Sequence, residues 1–163
     1  MRIRLILFVP LLGLGTVIGG WGAVQNGLLE PWCRTAAFLS EQFLKLFGSA
    51  VVRSGATLSD PESHHAIYVS WGCSGADATF ILVSAILVYS TSLRAKLLGL
   101  ISGFVAVQGL NVIRIITLYQ LNIYSQPLFN FAHSYLWQGL LMLDVLVFLL
   151  LWLRWQRTPC AIR

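Results

Sequence analysis

Charge is scarce in this chain of 163 residues: Asp, Glu, Lys and Arg make up 10% of it and hydrophobic residues 57%, for a mean hydropathy of +0.76. A soluble domain carries about a quarter charged residues, so the composition excludes one and indicates an integral membrane protein. Cysteine is also sparse. Cys33, Cys73 and Cys160 stand far apart, without the paired spacing of a zinc site or a disulfide framework. The sequence has no internal repeat, low-complexity tract, phosphate-binding loop or HExxH motif, so neither a cofactor nor a metal is expected. Nor is there length to spare. Several spans of about 20 residues each leave no room for a large aqueous catalytic domain, and residues 1–163 read as a single membrane-embedded domain.

What is present is a series of apolar runs. The first extends from Leu5 to about Val24 behind Arg2 and Arg4; it is longer than the apolar region of a signal peptide and lacks an A-x-A site, so it reads as a retained anchor. Further spans run from about Ala76 to Leu93, Leu97 to Tyr119 and Ser134 to Leu153. The expected fold is an all-α integral membrane bundle of about four transmembrane helices, joined to a small extracytoplasmic amphipathic helix and a β-hairpin. A net charge of +5 on a soluble protein would point to nucleic acid, but here the basic residues set topology and no nucleic-acid partner is expected. Arg94 and Lys96 lie in the turn between the second and third spans, and Arg154, Arg157 and Arg163 lie in the tail, with no acidic residue among them. These segments and both termini are therefore expected on the cytoplasmic side of the cell membrane, with residues 25–72 and 120–133 outside.

In the outer segment, Trp32, Ala36, Leu39, Phe43 and Phe47 follow Pro31 at helical spacing. Arg34, Glu41 and Lys45 fall on the other face, which predicts an amphipathic helix at the membrane surface. Val51–Leu58 and Ala66–Trp71 are β-prone and flank the turn-forming Ser59–Ser63, which predicts a hairpin leading into Cys73. His64 and His65 read as solvated loop residues. Gly15 with Gly19 and Gly99 with Gly103 form small-xxx-small pairs, which serve equally for packing inside one bundle and for a dimer; the sequence leaves the oligomeric state open.

Three polar residues converge on the outer end of the bundle. Cys73 stands at the outer start of the second span, and Arg114 lies seventeen residues, ~25 Å, along the third. His133 opens the fourth. A thiol attacks carbonyl carbon as thiolate, and a nearby cation or imidazole populates that form. Arginine cannot act as a base, but its fork of donors suits an oxyanion or a thiolate, while histidine exchanges protons with the thiol and a leaving amine. Ser74 and Gly75 put small residues beside the cysteine, and Asn111, one turn before Arg114, is placed to orient it by a hydrogen bond. Gln108, Asn111 and Arg114 form one polar stripe. Asp77 either orients Arg114 or caps a helix. Asp144, ~16 Å deeper than His133, is neutral, paired to a buried polar group, or part of a substrate groove. Taken singly, each of the three residues has a structural reading, the cysteine as a small buried hydrophobe and Arg and His as headgroup contacts. Two other functions therefore stand beside catalysis: a non-enzymatic membrane assembly protein, and a thiol-redox protein pairing Cys33 with Cys73.

The ordered blocks Cys73-Ser74-Gly75, Asn111-Val112-Ile113-Arg114 and His133 resemble the exosortase and archaeosortase family of membrane cysteine transpeptidases over roughly Val69 to Trp155. Common members are about twice as long, and many have Leu-Arg where this chain has Ala76-Asp77, so the resemblance is to a short branch such as exosortase H. It implies that Cys73 attacks a protein near a C-terminal sorting signal, consisting of a short motif, a membrane helix and a basic tail, and forms a thioester. Arg114 and His133 would take the oxyanion and proton-transfer roles, and the bilayer would help to hold the substrate. The acceptor that resolves the thioester, an amine or water, is not legible in the sequence.

Overall fold

The computed structural model describes residues 29–63 and 65–157, apart from the Arg157 side chain. The first expected span with Gly15 and Gly19, His64, and the tail with Cys160 lie outside the described residues. The fold is mostly helical with one small sheet, in the order α1 (Glu30–Leu46), β1 (Val52–Ser54), β2 (Thr57–Ser59), β3 (Ala66–Tyr68), a 3-10 turn (Trp71–Cys73), α2 (Ala76–Val88), α3 (Leu93–Tyr124), α4 (Gln126–Phe131), a π turn (Ala132–Leu136) and α5 (Trp137–Arg157).

Two stretches among the described residues are apolar and long enough to cross a membrane: α3, and the helical run Gln126–Gln156 that takes in α4, the π turn and all but the last residue of α5. Their outward faces carry Leu97, Ile101, Val105, Leu143, Leu146 and Leu150, all exposed, a surface suited to lipid. The inner faces meet through glycine. A Cβ on Gly99 would come within 2.4 Å of the Trp152 indole, and one on Gly103 within 2.6–2.7 Å of Leu82 and Phe148. This pair of glycines thus seats α5 and α2 within one chain, and the pairing of Gly99 with Trp152 and Gly103 with Phe148 makes α3 and α5 antiparallel.

The segment expected as a span from Ala76 to Leu93 is helical only to Val88. Ser90, Thr91 and Ser92 interrupt it: Thr91 donates to Gln156 at 2.8 Å, and Ser92 caps α3 by accepting from the Ala95 N–H at 3.3 Å. Arg94 and Lys96 consequently lie in the first turn of α3, where Lys96 Nζ donates to the Leu87 carbonyl at 2.7 Å and satisfies the end of α2. The segment 120–133, expected as an outer loop, is largely helical. Only Ser125, in extended backbone, separates α3 from α4, and Pro127 starts the new helix in its first turn.

Helix α1 buries a different face from the one its aromatic residues mark. Cys33, Ala36, Ala37, Ser40 and Leu44 pack against Ile115 and Tyr119 of α3 and against Leu58 and Val69, because small residues let the helix lie close. Phe43 and Phe47 remain 45% and 76% exposed. Glu41, expected on the solvated side, is buried between Lys45 (2.7 Å) and Arg53 (2.8 Å) and ties α1 to β1. Lys45 first and Arg53 second hold its carboxyl below the usual carboxylate range.

The expected hairpin is a three-stranded antiparallel sheet in the order β1-β2-β3, with Leu58 of the central strand opposite both Arg53 and Ile67. Gly55, at φ +62, allows a two-residue loop inside the first β-prone run and so creates the extra strand. Asp60 closes the next turn by accepting from Ser63 first and from the Glu62 and Ser63 amides, which lowers its carboxyl pKa.

Candidate active site

Cys73 ends the 3-10 turn, its N–H bonded to the Ser70 carbonyl at 2.9 Å. The next two residues fix where its side chain starts. Ser74 is fully buried, donates from Oγ to the Trp71 carbonyl at 2.7 Å, and through its own carbonyl accepts the Trp32 indole N–H at 3.1 Å. Gly75 follows at φ +69. Its carbonyl collects the Thr79 N–H at 3.0 Å, the Thr79 hydroxyl at 2.9 Å and the Gln108 amide at 3.4 Å, so α2 starts against the polar stripe of α3.

Arg114 is 2% exposed on α3. One terminal nitrogen donates to the Gly72 carbonyl at 3.4 Å and the other lies 3.8 Å from Cys73 Sγ; its Nε is buried without a partner. Among the described residues no carboxylate pairs with this guanidinium. His133 approaches the same sulfur from the π turn, with Nδ1 at 3.8 Å. The π turn, in which the Trp137 N–H reaches the Ala132 carbonyl, inserts an extra residue into the helical run and re-aims the ring. Phe129, four residues earlier, stacks on the imidazole at 5.6 Å with an interplanar angle of 5°. The thiol therefore stands between a cation and an imidazole, an arrangement that can deprotonate it and hold the thiolate.

The other residues singled out by the sequence fall into place unequally. Asn111 makes no bond to Arg114; it is fully buried beneath Gly75 with both amide atoms unpartnered, because the glycine seats against its Cβ. Asp77, in the first turn of α2, interacts with the Trp71 indole, while Arg114 is bound to Gly72 and Cys73. Asp144 is half-buried on α5 with one carboxyl oxygen unpartnered. Cys33 and Cys73 are both free thiols. Burial pushes the Cys33 thiol pKa up, on the face of α1 that packs into the core. His65 lies outside the site, its carbonyl bonded to the Asp60 N–H.

A cleft of about 320 Å³ opens beside the sulfur. Ala66 to Ser70 form one wall, and Ile115, Leu118 and Phe129 line the cleft as well. Sequence reasoning missed this wall, the Trp32 clamp and the Phe129 stack. The 129/133 spacing would have disclosed the stack had the segment been assigned as helix.

A family model described as transmembrane exosortase matches residues 2–157. No curated protein and no solved structure matches the chain.

Proposed function

The chain belongs to the transmembrane exosortase family, and on that premise we propose that it is a multi-pass membrane cysteine transpeptidase acting on C-terminal sorting signals. The observation that carries this reading is the pairing of Arg114: a buried guanidinium with no carboxylate partner among the described residues, directed at the Cys73 sulfur that His133 also faces. An idle charge in that setting is costly, and a thiolate is the anion available to it.

In this mechanism His133 takes the thiol proton and Cys73 Sγ attacks the carbonyl carbon of the scissile peptide bond. The carbonyl electrons move onto oxygen, where Arg114 stabilises the oxyanion. As the oxyanion collapses, the C–N bond breaks, the proton on His133 passes to the departing amine, and a thioester joins Cys73 to the upstream part of the substrate. An amine acceptor then gives transfer, and water gives hydrolysis. Ser74 and Gly75 fix the backbone that carries the thiol, and Asn111 supports Gly75 by packing.

The proposed topology has four spans with both termini cytoplasmic. Arg94 and Lys96 start α3 and Arg154 stands near the end of α5, at one end of the antiparallel pair; Arg114 and His133 lie toward the other. By the positive-inside rule the basic end is cytoplasmic and the thiol faces outward, with α1 and the sheet on the outer surface. The partner is a protein carrying a short motif, a membrane helix and a basic tail, held beside Cys73 by the bilayer. The test is co-expression with such candidates and comparison of wild type with Cys73→Ala, Arg114→Ala and His133→Ala at matched abundance. Loss of processing in all three is expected; unchanged processing without Cys73 overturns the reading.

A further inference from the structure

The residues of β3 divide by the direction of their backbone groups. His65 and Val69 bond to the β2 side, through Asp60 N–H to His65 O and Val69 N–H to Ala56 O, both at 2.9 Å. Antiparallel pairing alternates, so Ile67 faces the same way and the N–H and C=O groups of Ala66 and Tyr68 point to the opposite edge. Among the described residues no strand covers that edge, which ends the sheet. It opens on the cleft that holds Cys73 and His133. Among the described residues the outward Ala66 carbonyl accepts from the Asn122 amide alone, at a long 3.4 Å.

The cleft has a length and a direction. Ala66 lies at the level of Asn122 on α3, and Gly72 at the level of Arg114. The offset of eight residues from Arg114 to Asn122 is a rise of about 12 Å, which is room for roughly four residues of extended chain. The side chains along it are mostly apolar, and His133 is the one titratable group besides the tyrosine and the thiol. Such a site reads main chain and apolar side chains rather than charge.

We propose that the segment of the substrate immediately upstream of the scissile bond binds as an added strand on the free edge of β3, parallel to it, and is thereby delivered to Cys73. The proposal rests on the transpeptidase reading above. The parallel sense follows from the membrane: the substrate helix lies downstream and enters the bilayer, so the upstream residues run from the outer Asn122 end toward Cys73, as β3 itself does. Residues alternating along the segment would face Ile115, Leu118 and Phe129, while the intervening ones face away. The occupant is thus an uncharged extended peptide.

The test uses the full-length enzyme and an anchored protein that the wild type processes. Tyr68→Pro removes one outward N–H without touching the ladder to β2, and proline is tolerated at such an edge position. Relative to Tyr68→Ala, it is expected to lower kcat/KM about tenfold or more, mainly through KM, with the rate of iodoacetamide alkylation of Cys73 equal in the two variants. Equal processing by the two overturns the added strand. Should Tyr68→Pro fail to fold, wild-type enzyme is assayed with synthetic peptides spanning the cleaved segment of that protein, N-methylated one residue at a time. Impairment at alternate residues among the four upstream of the cleavage point is expected, and equal tolerance at all of them overturns the proposal. Tyr68→Cys should cross-link to a cysteine placed in the substrate motif; cross-linking to a second copy of the enzyme in its place assigns the edge to self-association and overturns it. Processing that survives Cys73→Ala would instead remove the transpeptidase reading, which keeps the two failures distinct.

Discussion

Replacing Gly75 by alanine isolates how the nucleophile is held. At φ +69 and ψ 10 the residue is left-handed, which costs an L-amino acid about 1–2 kcal/mol. The new Cβ would also lie 3.0 Å from Asn111 Cγ, 3.1 Å from Asn111 Cβ and 3.2 Å from Gln108 Nε2. Asn111 is fully buried, and its Cβ is too close to the backbone to swing aside, so crowding adds about 1–3 kcal/mol. The stiffer unfolded chain works in the opposite sense by about 0.4–1 kcal/mol. A net loss of roughly 2–4 kcal/mol is expected, measured by reversible unfolding in mixed micelles. Combining Gly75→Ala with Asn111→Ala should return only the part of the crowding due to Asn111 Cγ, since its Cβ and Gln108 stay in place, so that the double-mutant cycle shows a coupling of about 0.5–1.5 kcal/mol. Wild-type stability in Gly75→Ala, or strict additivity in the cycle, would refute this account of the turn.

Three further outcomes are expected. Glu41→Gln should lower stability at neutral pH and flatten its acid limb: the folded carboxyl pKa lies below the unfolded one, so its contribution is complete above the unfolded value and disappears as pH falls through the folded one. Unfolding measured from neutral to acid pH checks this, and parallel curves for the two proteins would contradict it. Trp32→Phe takes the indole donor from the Ser74 carbonyl and should cost about 1–3 kcal/mol, read as a lower unfolding midpoint. Arg114→Lys keeps the charge but cannot reach the Gly72 carbonyl and Cys73 Sγ together, so processing should fall about tenfold or more at matched abundance.

Distance along a membrane helix can be counted from sequence, and this made one aspect of the candidate site legible. Helix rise and the positions of basic residues assign Cys73, Arg114 and His133 to one level, and the structure sets both nitrogens 3.8 Å from the sulfur. Rotation about helix axes is much less legible. Helix α1 leaves Phe43 and Phe47 exposed and packs Cys33, Ala37 and Leu44 inward, a second face that the spacing expected at the membrane surface did not reveal. Asn111 shares a stripe with Arg114 yet is used by Gly75. Backbone irregularities were hidden as well: the π turn that aims His133 and the glycine loop that turns one β-prone run into two strands each depend on one or two residues. The exposed edge of β3 needs the pairing of all three strands before it can be recognised.

The central claim is that Cys73 forms a covalent bond to substrate. Mass spectrometry of wild-type enzyme co-expressed with a processed substrate and quenched in acid, which preserves a thioester, tests it most directly. The account predicts a hydroxylamine-sensitive acyl adduct on the peptide containing Cys73, carrying the residues upstream of the cleavage point and absent from Cys73→Ala. An adduct mapped to Cys33, or processing that continues in Cys73→Ala, would contradict it.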